Sequence, residues 1–119
     1  MNIESYRDYC LAKKGVTEGF PFDQKVLVFK VMGKMFALTD VDEFQSVNLK
    51  CDPERALELR EAFQGINAGY HMSKKHWNTI DNNSDVPDDL FYELIDHSYD
   101  LVVKSLTKKL QKELEALSQ

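Results

Sequence analysis

The chain is poor in the features that mark several protein classes, and each shortage excludes something. It has only two cysteines in 119 residues, Cys10 and Cys51, far apart and outside any CxxC pairing. That pattern excludes a disulfide framework and a zinc knuckle. Free cysteine is among the most buried residue types, so both are expected to be reduced and in or beside the core. Long apolar runs are missing too: clusters such as 26–29 are far too short to cross a bilayer, so no membrane association is expected. The opening MNIESYRDYC has neither a basic region nor an apolar stretch, which argues against a signal peptide and for a cytoplasmic location. Catalytic signatures are absent as well, with no GxSxG, no HExxH, no phosphate-cradling glycine loop and no cysteine with a recognisable histidine partner. Asp96, His97 and Ser98 are adjacent, and neighbours on one helix point in different directions, so they form no proton relay. The expectation is a protein that is not an enzyme and carries no cofactor.

Bases are also in deficit. Lys and Arg number 15 against 20 acids, for a net charge of −5. This argues against a wholesale nucleic-acid coat, because phosphate binding needs local Lys and Arg. A local basic face is still compatible with the composition.

What is present describes a globular chain. With 43% hydrophobic and 29% charged residues, five glycines and three prolines, the sequence fits one domain over 1–119. A domain of that size buries roughly two-thirds of its unfolded surface. Asn2 caps a first helix running to about Lys14, with Ile3, Tyr6 and Cys10 on one face and Gly15 as the stop. VTEGFPF then reads as a connection pinned to the core by Phe20 and Phe22. Residues 25–32 and 35–39 are rich in β-branched and aromatic side chains. Gly33-Lys34 between them suits a tight type II′ turn that would carry Lys34 at its tip. Residues 44–50 alternate Val47 and Leu49 with polar neighbours, as a third strand with one wet face would.

Asp52-Pro53-Glu54 is a strong helix opening, combining a side-chain acceptor, a proline at the first helical position and an acid at the positive dipole end. Ala56, Leu59 and Phe63 follow on one face, and the helix is expected to stop near Gln64-Gly65. After a turn at Asn67-Ala68-Gly69, residues 70–72 and 76–80 read as two short extended pieces with Ser73, Lys74 and Lys75 at the tip between them. Pro87 opens a long final helix to about Ala116, striped by Leu90, Leu94, Leu101, Leu106, Leu110 and Leu114. Residues 81–100 hold seven acids and no Lys or Arg, whereas 104–112 hold four lysines and no acid. The dipole of one long helix explains both blocks.

The densest functional stretch is HMSKKHWNTI, residues 71–80. His71 and His76 donate or accept hydrogen bonds, Lys74 and Lys75 supply positive charge, Trp77 offers a stacking face and Asn78 an amide able to pair with a base. Zinc wants four N or S ligands, and neither a cysteine nor a third histidine is near, so no metal is expected.

These residues carry a resemblance. FPF at Phe20 to Phe22, VFKVMGKMFAL, KCDPE at Lys50 to Glu54, GYHMSKKHWNTI and DHSYDLV together make the chain similar, over nearly its full length, to the MmcQ/YjbR family of small bacterial proteins. The resemblance implies an α+β fold related to the frataxin-like CyaY group, with an antiparallel sheet backed by helices and a long C-terminal helix. It also implies DNA as a partner, gripped by a double wing. On this reading Lys34, Lys74 and Lys75 touch phosphates from two hairpin tips, with His71, His76, Trp77 and Asn78 beside them, and binding is weak and without sequence preference. A rival expectation is a frataxin-like or protein-binding module in which Glu4, Asp8 and Glu18 hold a metal or a basic partner. The acidic net charge favours the rival, and the resemblance favours DNA.

Overall fold

A computed structural model describes residues 1–117. Its elements run α1 (Ile3–Leu11), β1 (Val16–Gly19), β2 (Val26–Val31), β3 (Lys34–Asp40), β4 (Ser46–Lys50), α2 (Pro53–Ala62), β5 (Ile66–Ala68), β6 (Trp77–Asp81), α3 (Asp88–Ser105) and α4 (Lys108–Ala116). The six strands form one antiparallel sheet in the order β1-β2-β3-β4-β6-β5. Helices α1, α2 and α3 pack against it, α3 across β2, β3 and β4. This is the expected α+β architecture, with the three strands read over 25–50 and the hairpin beyond them joined in one sheet, and with β1 added at its edge.

Strand alternation sorts the side chains. Leu27, Phe29, Val31, Val47, Leu49, Ile66 and Ile80 face the helices and join Tyr6, Phe91, Leu94 and Ile95 in the main core. Val28, Leu38 and Trp77 face the other way and form a small separate cluster on the open face. One irregularity shapes β3. Phe29 pairs with Ala37 but Lys30 pairs with Met35, so Phe36 is an extra, bulged residue. The bulge sends Phe36 into the core, edge-on to Tyr99, and leaves the β3–β4 ladder unpaired at that level. Ser98 of α3, fully buried, closes the gap: its Oγ donates to Phe36 O and accepts from Lys50 N at 2.9 Å. Asp96, His97 and Ser98 go to three different partners, Lys13 and Tyr9, Asp52 N, and the sheet.

Both helix caps read from the sequence are present, Asn2 accepting from Ser5 N and Asp52 from Arg55 N. Four expectations need correction. Residues 16–19 are an edge strand and not part of a connection, and Phe20 and Phe22 are 49% and 63% exposed and so not pinned to the core. The β2–β3 turn is Met32-Gly33, with φ of 49° and 88°, the two positive angles of a type I′ turn. Lys34 is therefore the first residue of β3, paired with Val31, and not the tip. The first arm of the β5–β6 hairpin is Ile66–Ala68, which turns 70–72 into loop. The last helix is two helices: Leu106 and Thr107 are extended, and the Thr107 hydroxyl caps α4 by accepting from Leu110 N at 3.2 Å.

Candidate functional site

Strand direction decides which loops meet. β2, β4 and β5 run toward one end of the sheet and β3 and β6 run away from it, so the Met32-Gly33 turn and the 69–76 loop project from the same end. One strand, β4, separates β3 from β6, a spacing of about 10 Å. The final helices close on that end too. Lys34 Nζ lies 3.4 Å from Ser105 O at the end of α3. Met32 N donates to Gly15 O, and Lys14 Nζ reaches Glu115 O at 2.9 Å, which lays α4 along the same end.

The resulting charge distribution is strongly polarised. Lys34, Lys50, Lys74, Lys75, Lys104, Lys108 and Lys109 gather at the turn end, with Asp52, Glu54, Glu113 and Glu115 among them. The opposite end gathers Asp40, Asp42 and Glu43 around the β3–β4 connection, and Asp81, Asp85, Asp88 and Asp89 around the start of α3, with Lys25 and the Met1 ammonium, paired with Asp88, among them. Asn82 ties the two acidic connections together by donating from its backbone to Gln45 O at 2.8 Å. The helix break changes the account of the lysine block. Lys108 and Lys109 stand in the first turn of α4, where the dipole disfavours positive charge, so a single helix dipole does not explain them.

The 69–76 loop is built by tertiary hydrogen bonds. Arg60 of α2 is its clamp: Nε donates to Asn78 Oδ1 at 2.7 Å, and Nη2 donates to Lys74 O and, at 3.2 Å, to Trp77 O. Lys74 Nζ turns back to Gly69 O at 2.6 Å, and Cys51 N donates to His76 O at 2.8 Å. A Cβ on Gly69 would lie 2.7 Å from Trp77 Cβ, so the chain leaves β5 beside Trp77 only through glycine. On the open face, Tyr70 N donates to Thr79 Oγ1 at 2.9 Å while Asn48 Nδ2 donates to Tyr70 O at 3.1 Å. The Thr79 hydroxyl in turn donates to Asn48 Oδ1 at 2.6 Å.

This geometry divides the seven predicted site residues. Lys34, Lys74, Lys75, His71 and His76 are exposed at the turn end. Trp77 and Asn78 are not available to a duplex: Trp77 is 9% exposed against Val28 and Leu38, and Asn78 is 1% exposed beneath α2, its amide held by Arg60 and Ala56 O. The sequence reading missed Arg60 and Asn48, since neither stands in a motif and both act through partners distant in sequence.

The alternative acidic patch is partly occupied. Arg7 grips Glu18 through two bonds of 2.8 and 2.5 Å, which holds the Glu18 carboxyl below its usual range. Among the described residues no three His, Cys, Asp or Glu side chains converge as a metal site would require. Burial pushes the Cys10 thiol up to about 12 and Cys51 to about 11, so both stay protonated at neutral pH. No helix among the described residues is long and apolar enough to cross a membrane.

The YjbR family profile matches residues 11–101. The chain belongs to the YjbR family. It is 33% identical to the uncharacterized protein YjbR of Escherichia coli over 98% of its own length and the whole of that relative. With protein YbdF of Escherichia coli it shares 37% identity over 78% of this chain and 77% of the other. Among solved structures, the crystal structure of protein DR2400 of Deinococcus radiodurans, a DUF419 domain, superposes with a TM-score of 0.90 at 43% identity, covering 96% of this chain and 88% of that one. The antiparallel sheet with helices is thus shared with the DR2400 structure.

Proposed function

We propose that this YjbR-family protein binds nucleic acid through the phosphate backbone, weakly and without sequence preference, using the lysine-rich end of its sheet. One observation carries the reading: a chain of net charge −5 collects Lys34, Lys74, Lys75, Lys104, Lys108 and Lys109 at the end from which both hairpin connections project, and sends many of its acids to the other end. A polarised domain of this kind presents positive charge to a polyanion despite its acidic sum. Contacts of lysine with phosphate position a protein on a strand and carry no base information, which accounts for the lack of sequence preference. No catalytic step enters this reading. Two buried, free cysteines suit a reducing compartment, and we place the protein in the cytoplasm.

Affinity for duplex DNA measured over a salt series tests the proposal. The logarithm of the binding constant should fall with log salt by roughly 0.9 per phosphate neutralised. Replacing Lys74 and Lys75 together with Ala should flatten that slope by about two units, while folding stability falls by no more than about 1 kcal/mol, the share of the Lys74 bond to Gly69 O, since the exposed Lys75 contributes little to it. No binding by the parent at low salt, or an unchanged slope in the variant, overturns the proposal.

A further inference from the structure

Opposite the helices, the open face of the sheet holds a cleft of about 630 Å³, within the size range of small-molecule sites. Val26 and Leu38 line it, with Phe22 and Tyr70 among its other residues. Both rings are exposed, Phe22 by 63% and Tyr70 by 67%, although aromatic side chains of this size ordinarily bury most of their area. The backbone that carries Tyr70 is nevertheless held at two points, its N–H and its carbonyl, by Thr79 and Asn48, which are themselves joined by a hydrogen bond, and the His71 ring stands 4.0 Å from the Tyr70 ring. His71 itself takes a left-handed φ of 59°, a strain that persists only where the surroundings impose it. The fold thus fixes the backbone of one exposed ring, Tyr70, at the cavity, and places the exposed ring of Phe22 along the same lining.

Charge gives the cleft a direction. Asp40 lies in it at the acidic end of β3, alongside Gln45. Lys30 and Lys50, placed on the open face by their pairing with Met35 and Trp77, lie two residues nearer the basic end than Val28 and Asn48, a step of about 7 Å. An occupant with a flat ring at one end, hydrogen-bonding groups on its edge and a negative group toward the lysines matches this order. A nucleotide of a single strand has that form, whereas a duplex keeps its ring faces stacked inside.

We infer that the open-face cleft receives an unpaired nucleobase stacked on Phe22 and Tyr70, with the flanking phosphates drawn toward Lys30 and Lys50, so that single-stranded nucleic acid is preferred to duplex. This deepens the phosphate-binding reading and rests on it. Lys74 and Lys75, which line a separate groove with Pro53 and Leu57 of α2, are outside the cleft.

Binding of a short oligodeoxycytidylate and of a duplex of the same length, each to the parent, to Phe22→Ala with Tyr70→Ala, and to Lys74→Ala with Lys75→Ala, tests the inference. The single strand should bind tighter than the duplex to the parent. Loss of the two rings should weaken single-strand binding by about tenfold or more and leave duplex binding unchanged, as removal of stacking platforms does. Unchanged thermal melting of the ring variant, whose two side chains are exposed, shows that its fold is intact. Equal affinity for the two forms, or single-strand binding indifferent to the rings, overturns the inference. Loss of duplex binding on removing the lysines, with the rings immaterial, would leave the phosphate reading standing alone. Loss of single-strand binding on removing the rings, with the lysines immaterial, would do the reverse.

Discussion

Two hairpin connections leave the same end of the sheet, and they are held by different means. The β2–β3 turn needs only Met32 and Gly33 at positive φ, a local backbone solution that closes the strands in two residues. The β5–β6 connection takes residues 69–76 and depends on Arg60 and the Asn48–Thr79 pair, which act on it through space, and on its own Gly69, which lies against Trp77. Lysine reaches the basic end by both, Lys34 directly after the short turn and Lys74 and Lys75 within the long loop, but the short turn is set by its own sequence and the long loop by α2 and β4. A change in α2 should therefore disturb one wing and spare the other.

The largest expected effect comes from Arg60→Ala. It leaves buried Asn78 Oδ1 without its donor and frees the Lys74 carbonyl, while Trp77 O keeps only its bond from Gly69 N, which together should cost about 2–3 kcal/mol. Chemical denaturation measures the loss, and amide exchange should rise in 69–76 and not at the Met32-Gly33 turn. Equal loosening of both connections would erase the contrast. Gly33→Ala should cost about 1 kcal/mol, because φ of 88° places a Cβ in left-handed strain while the space around it is open. Its exchange signature should be confined to the short turn.

A smaller, pH-dependent effect concerns the start of α2, which carries Arg60. His97 Nε2 accepts from Asp52 N at 3.2 Å and so must be unprotonated there. Burial and the nearby Arg55 guanidinium lower its pKa from 6.5. With the folded value below the unfolded one, the contribution is fully present above about pH 6.5 and is lost as pH falls through the folded value. Melting temperature followed from about pH 7.5 to 5.5 should decline in the parent and decline less in His97→Gln. Parallel curves would remove His97 from the account.

The same contrast explains what the sequence made legible. Caps at Asn2 and Asp52, the alternation of Val47 and Leu49, and the existence of both hairpins follow from local chemistry, and all are present. The α+β class and the family followed from long, distinctive stretches. The break at Thr107 stayed hidden because the leucine stripe runs straight across it, from Leu101 through Leu106 to Leu110. The type I′ turn stayed hidden because Met32 is not a residue that ordinarily adopts positive φ. The site was less legible than the fold. Exposed lysines could be named, but whether Asn78 faced solvent or α2 depended on strand register. The convergence of 104–112 with the hairpins depended on where α3 ends.

The central proposal is that duplex DNA is held at the lysine-rich end of this sheet and not at the acidic end. A salt series on duplex DNA, run in parallel on Lys74→Ala with Lys75→Ala and on Asp42→Asn with Glu43→Gln, tests it most directly. The account predicts a slope flattened by about two units in the lysine variant and a slope equal to the parent's in the acidic-end variant. Equal changes in both, or no change in the lysine variant, would contradict it.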